Sequence, residues 1–187
     1  ISLGLVGSEM CIRDRIMAEG VFSNLHESLR KALSQRQWSP TPVQHATQED
    51  IANGLDRLVV APTGSGKTMA AVLPLLDRCL REEWSGMSIL YITPLRALNR
   101  DVDRRLEEIM SSVGLKLGLR HGDTSQAERN KQTRNPPNLM ITTPETFQLM
   151  FTGSKLRELL RTVKAVVIDE VHELSLIHIS EPTRPRL

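Results

Sequence analysis

Apolar positions along this chain switch repeatedly between helical spacing and short unbroken runs. Residues 22–35 (FSNLHESLRKALSQ) carry apolar side chains at helical spacing, with Ser23 placed to cap the start. Two prolines in WSPTPVQ end that helix, and a second is predicted over 42–53, stopped by Gly54. RLVVA at 57–61 reads as a short buried strand, PTGSG as a loop, and 67–83 as a long helix. The alternation continues with strands at 87–93, 116–122, 138–142 and 164–170. Helices are predicted between them at 95–113, 123–132, 144–151 and 155–163. The second of these opens with a capping box from Ser125 to Glu128, and the third has Pro144 at its first position. Strands alternating with helices predict an α/β fold: a three-layer parallel sheet with helices on both faces and right-handed crossovers. The chain shows no internal repeat and no low-complexity segment.

APTGSGKT, residues 61–68, lies between a predicted strand and a predicted helix, the context a phosphate-binding loop requires. Gly64 and Gly66 let the backbone bend so that the N–H groups of Thr63, Gly64, Ser65 and Gly66 turn inward around phosphate oxygens, and the helix N-terminus adds partial positive charge. Lys67 can reach the β- and γ-phosphates, and the Thr68 hydroxyl can bind Mg²⁺. The strict pattern begins with glycine, where this chain has Ala61; the plainer reading is a glycine- and serine-rich turn. VVIDEVH supplies the complement. It sets Asp169 and Glu170 at the carboxyl end of a strand, the edge at which open parallel sheets bind ligands. Asp169 can hold Mg²⁺ through water, and Glu170 can accept a proton from an attacking water. An acidic strand end facing solvent is the alternative. These residues alone describe an ATPase or GTPase.

Further segments appear in a fixed order: WSPTPVQ before the loop, then TPLRALN, HGDTS, TTPE and DEVH, each following a predicted strand. The ordered set, spanning roughly 21–174, resembles the superfamily 2 DEAD/DEAH-box (DExH) helicases, and most of all the large helicase-related (Lhr) branch, especially its archaeal members. The resemblance implies the first RecA-like P-loop domain of an ATP-dependent helicase or translocase, using ATP and Mg²⁺. It implies that Gln44 reads adenine, as a side-chain amide can, with Phe22 as the upstream aromatic near the base. Gln37 stands where DEAD-box proteins carry glycine, and Phe22 and Trp38 equally suit simple core packing. Pro94, Leu95 and Arg96, Gly122, and Thr143, Pro144 and Glu145 fall where the family grips the nucleic-acid backbone. Two of these segments begin helices, whose N-terminal N–H groups suit phosphate; Thr143-Pro144-Glu145 is also simply a good helix start. His172 matches the residue that couples the ATP site to the strand-binding site. Arg100, Arg104 and Arg105 read as a solvated face.

Composition adds little: 187 residues, 40% hydrophobic and 25% charged, with net charge +2, argue neither for nor against a polyanion partner. Cys11 and Cys79 form no CxxC motif, which leaves no disulfide framework or zinc site and suits a cytoplasmic protein. No apolar run approaches the ~20 residues needed to span a bilayer.

The ends depart from this pattern. LVGSEMCIRDR and LSLIHISEPTR resemble opposite-strand translations of one transposase-type sequencing-library adapter, so 1–15 and 175–187 are expected to be non-native and 16–174 to be the domain, with Met17 as a start. Leaving them out moves the net charge from +2 to +1. A second RecA-like domain, which the family needs for its arginine fingers, is then missing. The chain by itself is expected to bind ATP–Mg²⁺ weakly and turn over little. Single-stranded DNA is the favoured partner over RNA. Another P-loop ATPase, or a module that binds ATP or nucleic acid without unwinding, are the competing readings. A transporter ATPase would carry its signature loop in the interval where TTPE stands.

Overall fold

The computed structural model describes residues 22–94 and 100–171, with the side chains of 100–103 excepted. Leu95, Arg96, His172 and both terminal segments, 1–15 and 175–187, lie outside the described residues. The chain forms two compact units, one up to Trp84 and one from Ser85.

The first unit holds helices α1 (Glu27–Gln35), α2 (Pro42–Ala52) and α3 (Lys67–Arg81). α1 begins after His26 and not after Ser23. The His26 Nδ1 accepts from the Ser28 N–H at 3.3 Å, while the His26 N–H donates to the carboxylate of Asp77 on α3. That long-range bond draws the His26 N–H out of the preceding turn, so the helix restarts there. Asp77 is only 4% exposed and also binds Arg81 at 2.8 Å, which gives a buried carboxylate the donors it needs. α2 ends as expected. Gly54, at φ +79°, donates to Ile51 and is followed by a bond from the Leu55 N–H to Asp50, the paired arrangement that satisfies a helix's last carbonyls.

A buried polar side chain of α2 meets the backbone of α3. Pro74 lies inside α3 and has no N–H to offer the Ala70 carbonyl. Buried Thr47 of α2 supplies the missing donor: its hydroxyl lies 3.2 Å from the Ala70 oxygen and 2.9 Å from that of Val43. In the same unit Leu29, Leu33, Val72, Leu73 and Leu76 are almost fully buried.

The strand expected at 57–61 is absent. That stretch pairs with no other strand, and Leu58 and Val60 stand 82% and 86% exposed. Apolar sequence makes a strand only where a partner takes up its backbone N–H and C=O groups, and none does so among the described residues.

The second unit is a four-stranded parallel sheet in the order β2-β3-β1-β4, with β1 Ile89–Ile92, β2 Leu117–Arg120, β3 Leu139–Thr142 and β4 Ala165–Ile168. Its helices are α4 (Arg100–Ser112), α5 (Gln126–Arg134), α6 (Pro144–Met150) and α7 (Ser154–Leu160). From β1 the chain crosses to β2 in one direction and returns through β3 to β4 in the other. Right-handed crossovers therefore put α4 on one face and α5, α6 and α7 on the opposite face. On that second face Leu90, Ile92 and Met140 pack with Met150, and with Phe147, Leu156, Leu159 and Leu160 beside them. β1 and β3, in the middle, are buried at every position, whereas β4 alternates between half-buried and exposed. Continuous apolar runs belong to strands covered on both sides.

Thr47→Val keeps the shape of the side chain and removes only its donor. It is expected to lower unfolding free energy by about 1–3 kcal/mol, the cost of an orphaned buried carbonyl. In a Pro74→Ala background, where a backbone N–H returns to Ala70, the same substitution should cost distinctly less. Urea denaturation of the four-member mutant cycle checks this, and equal costs in both backgrounds would show that Thr47 does not serve the proline gap.

Candidate nucleotide and nucleic-acid site

Residues 61–66 form a turn that delivers Lys67 and Thr68 as the first residues of α3. Two glycines shape it by left-handed backbone, Gly64 at φ +79° and Gly66 at φ +91°. Gly66 caps α3, and its carbonyl accepts the Ala70 N–H at 2.9 Å. Lys67 folds back across the loop, its ammonium donating to the carbonyls of Ala61 (2.8 Å) and Pro62 (3.1 Å). An ammonium has three donors, so a cation is already tethered over the loop with capacity for an anion. Thr63 and Gly64 are exposed, and the Ser65 hydroxyl is buried without a partner among the described residues.

Gln44 belongs to this loop. It is 2% exposed; its carbonyl oxygen accepts from the Thr41 N–H (3.1 Å) and the Trp38 indole (3.3 Å), and its amide donates to the Gly66 carbonyl at 3.4 Å. One side chain thus ties the start of α2, Trp38 and the phosphate loop together. Trp38 is half-buried and Phe22 is 8% exposed among core residues. Gln37 adopts φ +51°, with the Trp38 N–H reaching back to the Leu33 carbonyl, so this residue occupies the left-handed position at the end of α1 that favours glycine.

In the second unit the register aligns the remaining candidates. Ile92 pairs with Thr142 on one side and Ile168 on the other, and Thr142 pairs with Arg120. The next residue of each strand then forms one row along the carboxyl edge: His121, Thr143, Thr93 and Asp169. Backbone bonds from Thr93 to Thr142 (3.0 Å) and from Asp169 to Ile92 (2.9 Å) extend the ladder into that row. Pro94, Gly122 and Pro144 each follow by one residue, and Glu145 by two. Pro94 and Pro144 are buried, while Gly122 and Glu145 are exposed. Thr143 caps α6, accepting the Thr146 N–H at 3.4 Å. The Thr93 hydroxyl is buried with no partner among the described residues.

Asp169 is gripped at both carboxylate oxygens. Tyr91, 4% exposed on β1, donates its hydroxyl to Oδ2 at 2.7 Å, and the Glu170 N–H donates to Oδ1 at 2.9 Å. Tyr91 and Asp169 share one face of the sheet because Tyr91 pairs with Val167, two residues before Asp169. Glu170 has φ +48°, a backbone state that costs a non-glycine residue about 1–3 kcal/mol. No motif singles out Tyr91, although strand alternation places it on the face of the acidic residue.

The sequence model for the DEAD/DEAH box helicase family matches residues 41–180, so the chain belongs to that family. It is 45% identical over 157 residues to the Lhr helicase/uracil glycosylase of Escherichia coli strain K12, covering 73% of this chain and 10% of that protein. Identity is 36% over 151 residues to the ATP-dependent helicase Lhr-Core of Methanothermobacter thermautotrophicus, covering 72% of this chain and 18% of that one. In fold it matches the structure of Mycobacterium smegmatis helicase Lhr bound to ssDNA and AMP-PNP with a TM-score of 0.72 at 36% identity, over 82% of this chain and 21% of that one. The sheet is that of a RecA-like helicase domain, and the chain spans only a small part of these relatives' lengths.

A Cβ at Gly66 would stand 2.8 Å from the Gln44 amide nitrogen and 3.2 Å from the Thr41 hydroxyl, whereas one at Gly64 would meet nothing within 4 Å. Both positions carry the left-handed backbone penalty of about 1–2 kcal/mol. Gly66→Ala is expected to lose more stability than Gly64→Ala, and to weaken binding of a fluorescent ATP analogue by displacing Gln44. Thermal unfolding and anisotropy titration of the two variants test this; equal stability losses would mean that the Gln44 contact does not constrain the loop.

Proposed function

We propose that this chain is the ATP-binding first motor domain of an ATP-dependent helicase or translocase that grips single-stranded nucleic acid, DNA in preference to RNA. The observation that carries the reading is the row at the carboxyl edge of the sheet, where the segments after β1, β2 and β3 stand in line with the acidic pair after β4. The M. smegmatis relative bound to ssDNA and AMP-PNP supports both ligand classes. A second RecA-like domain, outside this chain, would contribute the arginines that complete hydrolysis, and turnover by this chain alone is low. The cytoplasm is the place of action in this reading; among the described residues no helix is long and apolar enough to cross a membrane.

In this mechanism Lys67 releases the Ala61 and Pro62 carbonyls to neutralise the β- and γ-phosphates, and the loop N–H groups of 63–66 hold the phosphate oxygens. Gln44 and Phe22 bound the adenine side. Glu170 accepts the proton of the attacking water. Pro94, Leu95, Arg96, Gly122, Thr143, Pro144 and Glu145 line the nucleic-acid path, and His172 links the two sites.

Mg²⁺ fits the donor set as an ion held mainly by phosphates and water. No group of three or more His, Cys, Asp or Glu able to hold a metal exists among the described residues. Mg²⁺, which keeps several waters, needs only one or two protein oxygens beside substrate phosphates. Asp169, with a protein donor on each oxygen, has lone pairs left for metal-bound water. In the first unit, the Thr68 hydroxyl is a hard oxygen of the kind the ion takes as a direct ligand. When bound, the ion neutralises charge on the phosphates.

Anisotropy titrations with a labelled ATP analogue, single-stranded DNA and single-stranded RNA test the reading; absence of nucleotide and nucleic-acid binding would defeat it, and tighter RNA binding would reverse the choice of polymer. Tyr91→Phe removes one oxygen's partner at Asp169 while keeping the ring. It is expected to raise the Mg²⁺ concentration needed for half-maximal nucleotide binding about tenfold, the effect typical of losing a ligand's supporting bond. Isothermal titration at fixed nucleotide measures this, and an unchanged Mg²⁺ requirement would remove Tyr91 from the site.

A further inference from the structure

One side chain spans the segment after β2. Arg129, in the first turns of α5, donates from Nε to the Thr124 carbonyl at 2.9 Å, and from Nη2 to the carbonyls of His121 (3.0 Å) and Gly122 (2.8 Å). Three backbone oxygens from four consecutive residues converge on a single guanidinium. Among the described residues Arg129 joins no ion pair within 4.0 Å. Its hydrogen bonds go to the loop, and a planar fork suits several fixed acceptors as an ammonium does not.

The base beneath it is built as well. Gln132 of α5 donates to the Leu119 carbonyl at 2.8 Å, and Arg120, 7% exposed, donates to the Arg129 carbonyl at 3.4 Å. Burial, and secondarily the charge of Arg129, hold the Arg120 guanidinium below its ordinary pKa. Within the loop the His121 N–H is already used by the Thr124 hydroxyl at 2.9 Å. The Gly122 N–H has no partner among the described residues. Nor does the fold itself require glycine there: its φ is not positive, and an added Cβ would meet nothing within 4 Å. An unpaired N–H over open space, in a loop whose carbonyls are bound to a cation, suits an incoming anion.

We propose that Arg129 is a positioning residue for nucleic-acid binding: by holding the carbonyls of His121, Gly122 and Thr124 it presents the Gly122 N–H to a phosphate of the sugar-phosphate backbone. This rests on the nucleic-acid-binding function proposed above, and Arg129 itself touches the loop and not the phosphate.

The test is anisotropy titration of the full chain with fluorescein-labelled oligo(dT) across a salt series, for wild type and Arg129→Lys. Lysine keeps the charge and loses the fork. Binding is expected to weaken about tenfold at every salt concentration, the scale of one or two lost hydrogen bonds. The slope of log affinity against log salt should stay unchanged, because no phosphate contact is lost. Hydrogen exchange at 121–124 should rise in parallel. A slope shallower by about 0.7, the value of one contact on a single strand, would make Arg129 a direct phosphate ligand and overturn the proposal, as would unchanged affinity. Failure of the wild type to bind oligo(dT) would overturn the functional reading and this proposal with it; binding by wild type with an indifferent Arg129→Lys defeats this proposal alone. Should Arg129→Lys not fold, Gly122→Ala decides: its methyl group fits the fold but obstructs the phosphate, so unaltered binding would overturn the proposal.

Discussion

The parallel register around β1 is the constraint on which the second unit depends. Parallel strands cannot be joined by tight turns, so each connection must leave the sheet and return, and every strand points the same way. The carboxyl ends therefore share one edge. Because Ile92, Thr142, Arg120 and Ile168 lie in one line of pairing, segments distant in the chain become neighbours there. A slip of one residue at β4 would turn Asp169 to the opposite face, away from Tyr91. The chemistry at the edge thus hangs on the apolar side chains of β1 and β3, whose burial on both faces fixes that register.

The first unit solves a different problem. A phosphate-binding turn must hold a conformation that most residues resist, and here the Ser65 N–H itself bonds back to the Pro62 carbonyl at 3.3 Å. Glycine permits that conformation but does not enforce it. Enforcement comes from Gln44, which is itself fixed by Trp38 and Thr41, and from Lys67 spanning the loop. α2 is in turn seated on α3 across the gap that Pro74 leaves. The glutamine expected to read adenine is thus also a brace of the loop.

Much of this was legible in the sequence because it is local or periodic. The helices after the phosphate loop and after TTPE, the four strands of the sheet and the cap at Ser125 all announce themselves by spacing or by a capping residue. What escaped depends on distant partners. The start of α1 is set by Asp77, 51 residues away from His26, and the grip of Tyr91 on Asp169 joins residues 78 apart. Arg129 looks in sequence like one more charge on a polar helix, since nothing local reveals that three carbonyls surround it. The strand expected at 57–61 is missing for the same reason in reverse: its apolar residues have the composition of a strand and find no pairing partner among the described residues.

β4 carries one further consequence. Among the described residues it pairs on one side only, and Val166 and Ile168 on its face are 53% and 52% exposed. An edge with greasy side chains beside it is a template that any extended chain can complete, another copy included. Left by itself at high concentration, this polypeptide would then face competition between its native sheet and growth of that sheet from one molecule into the next. Its usable shelf life in solution would be governed by how densely it is stored, and a lysine at Val166 or Ile168 would be the smallest change to lengthen it.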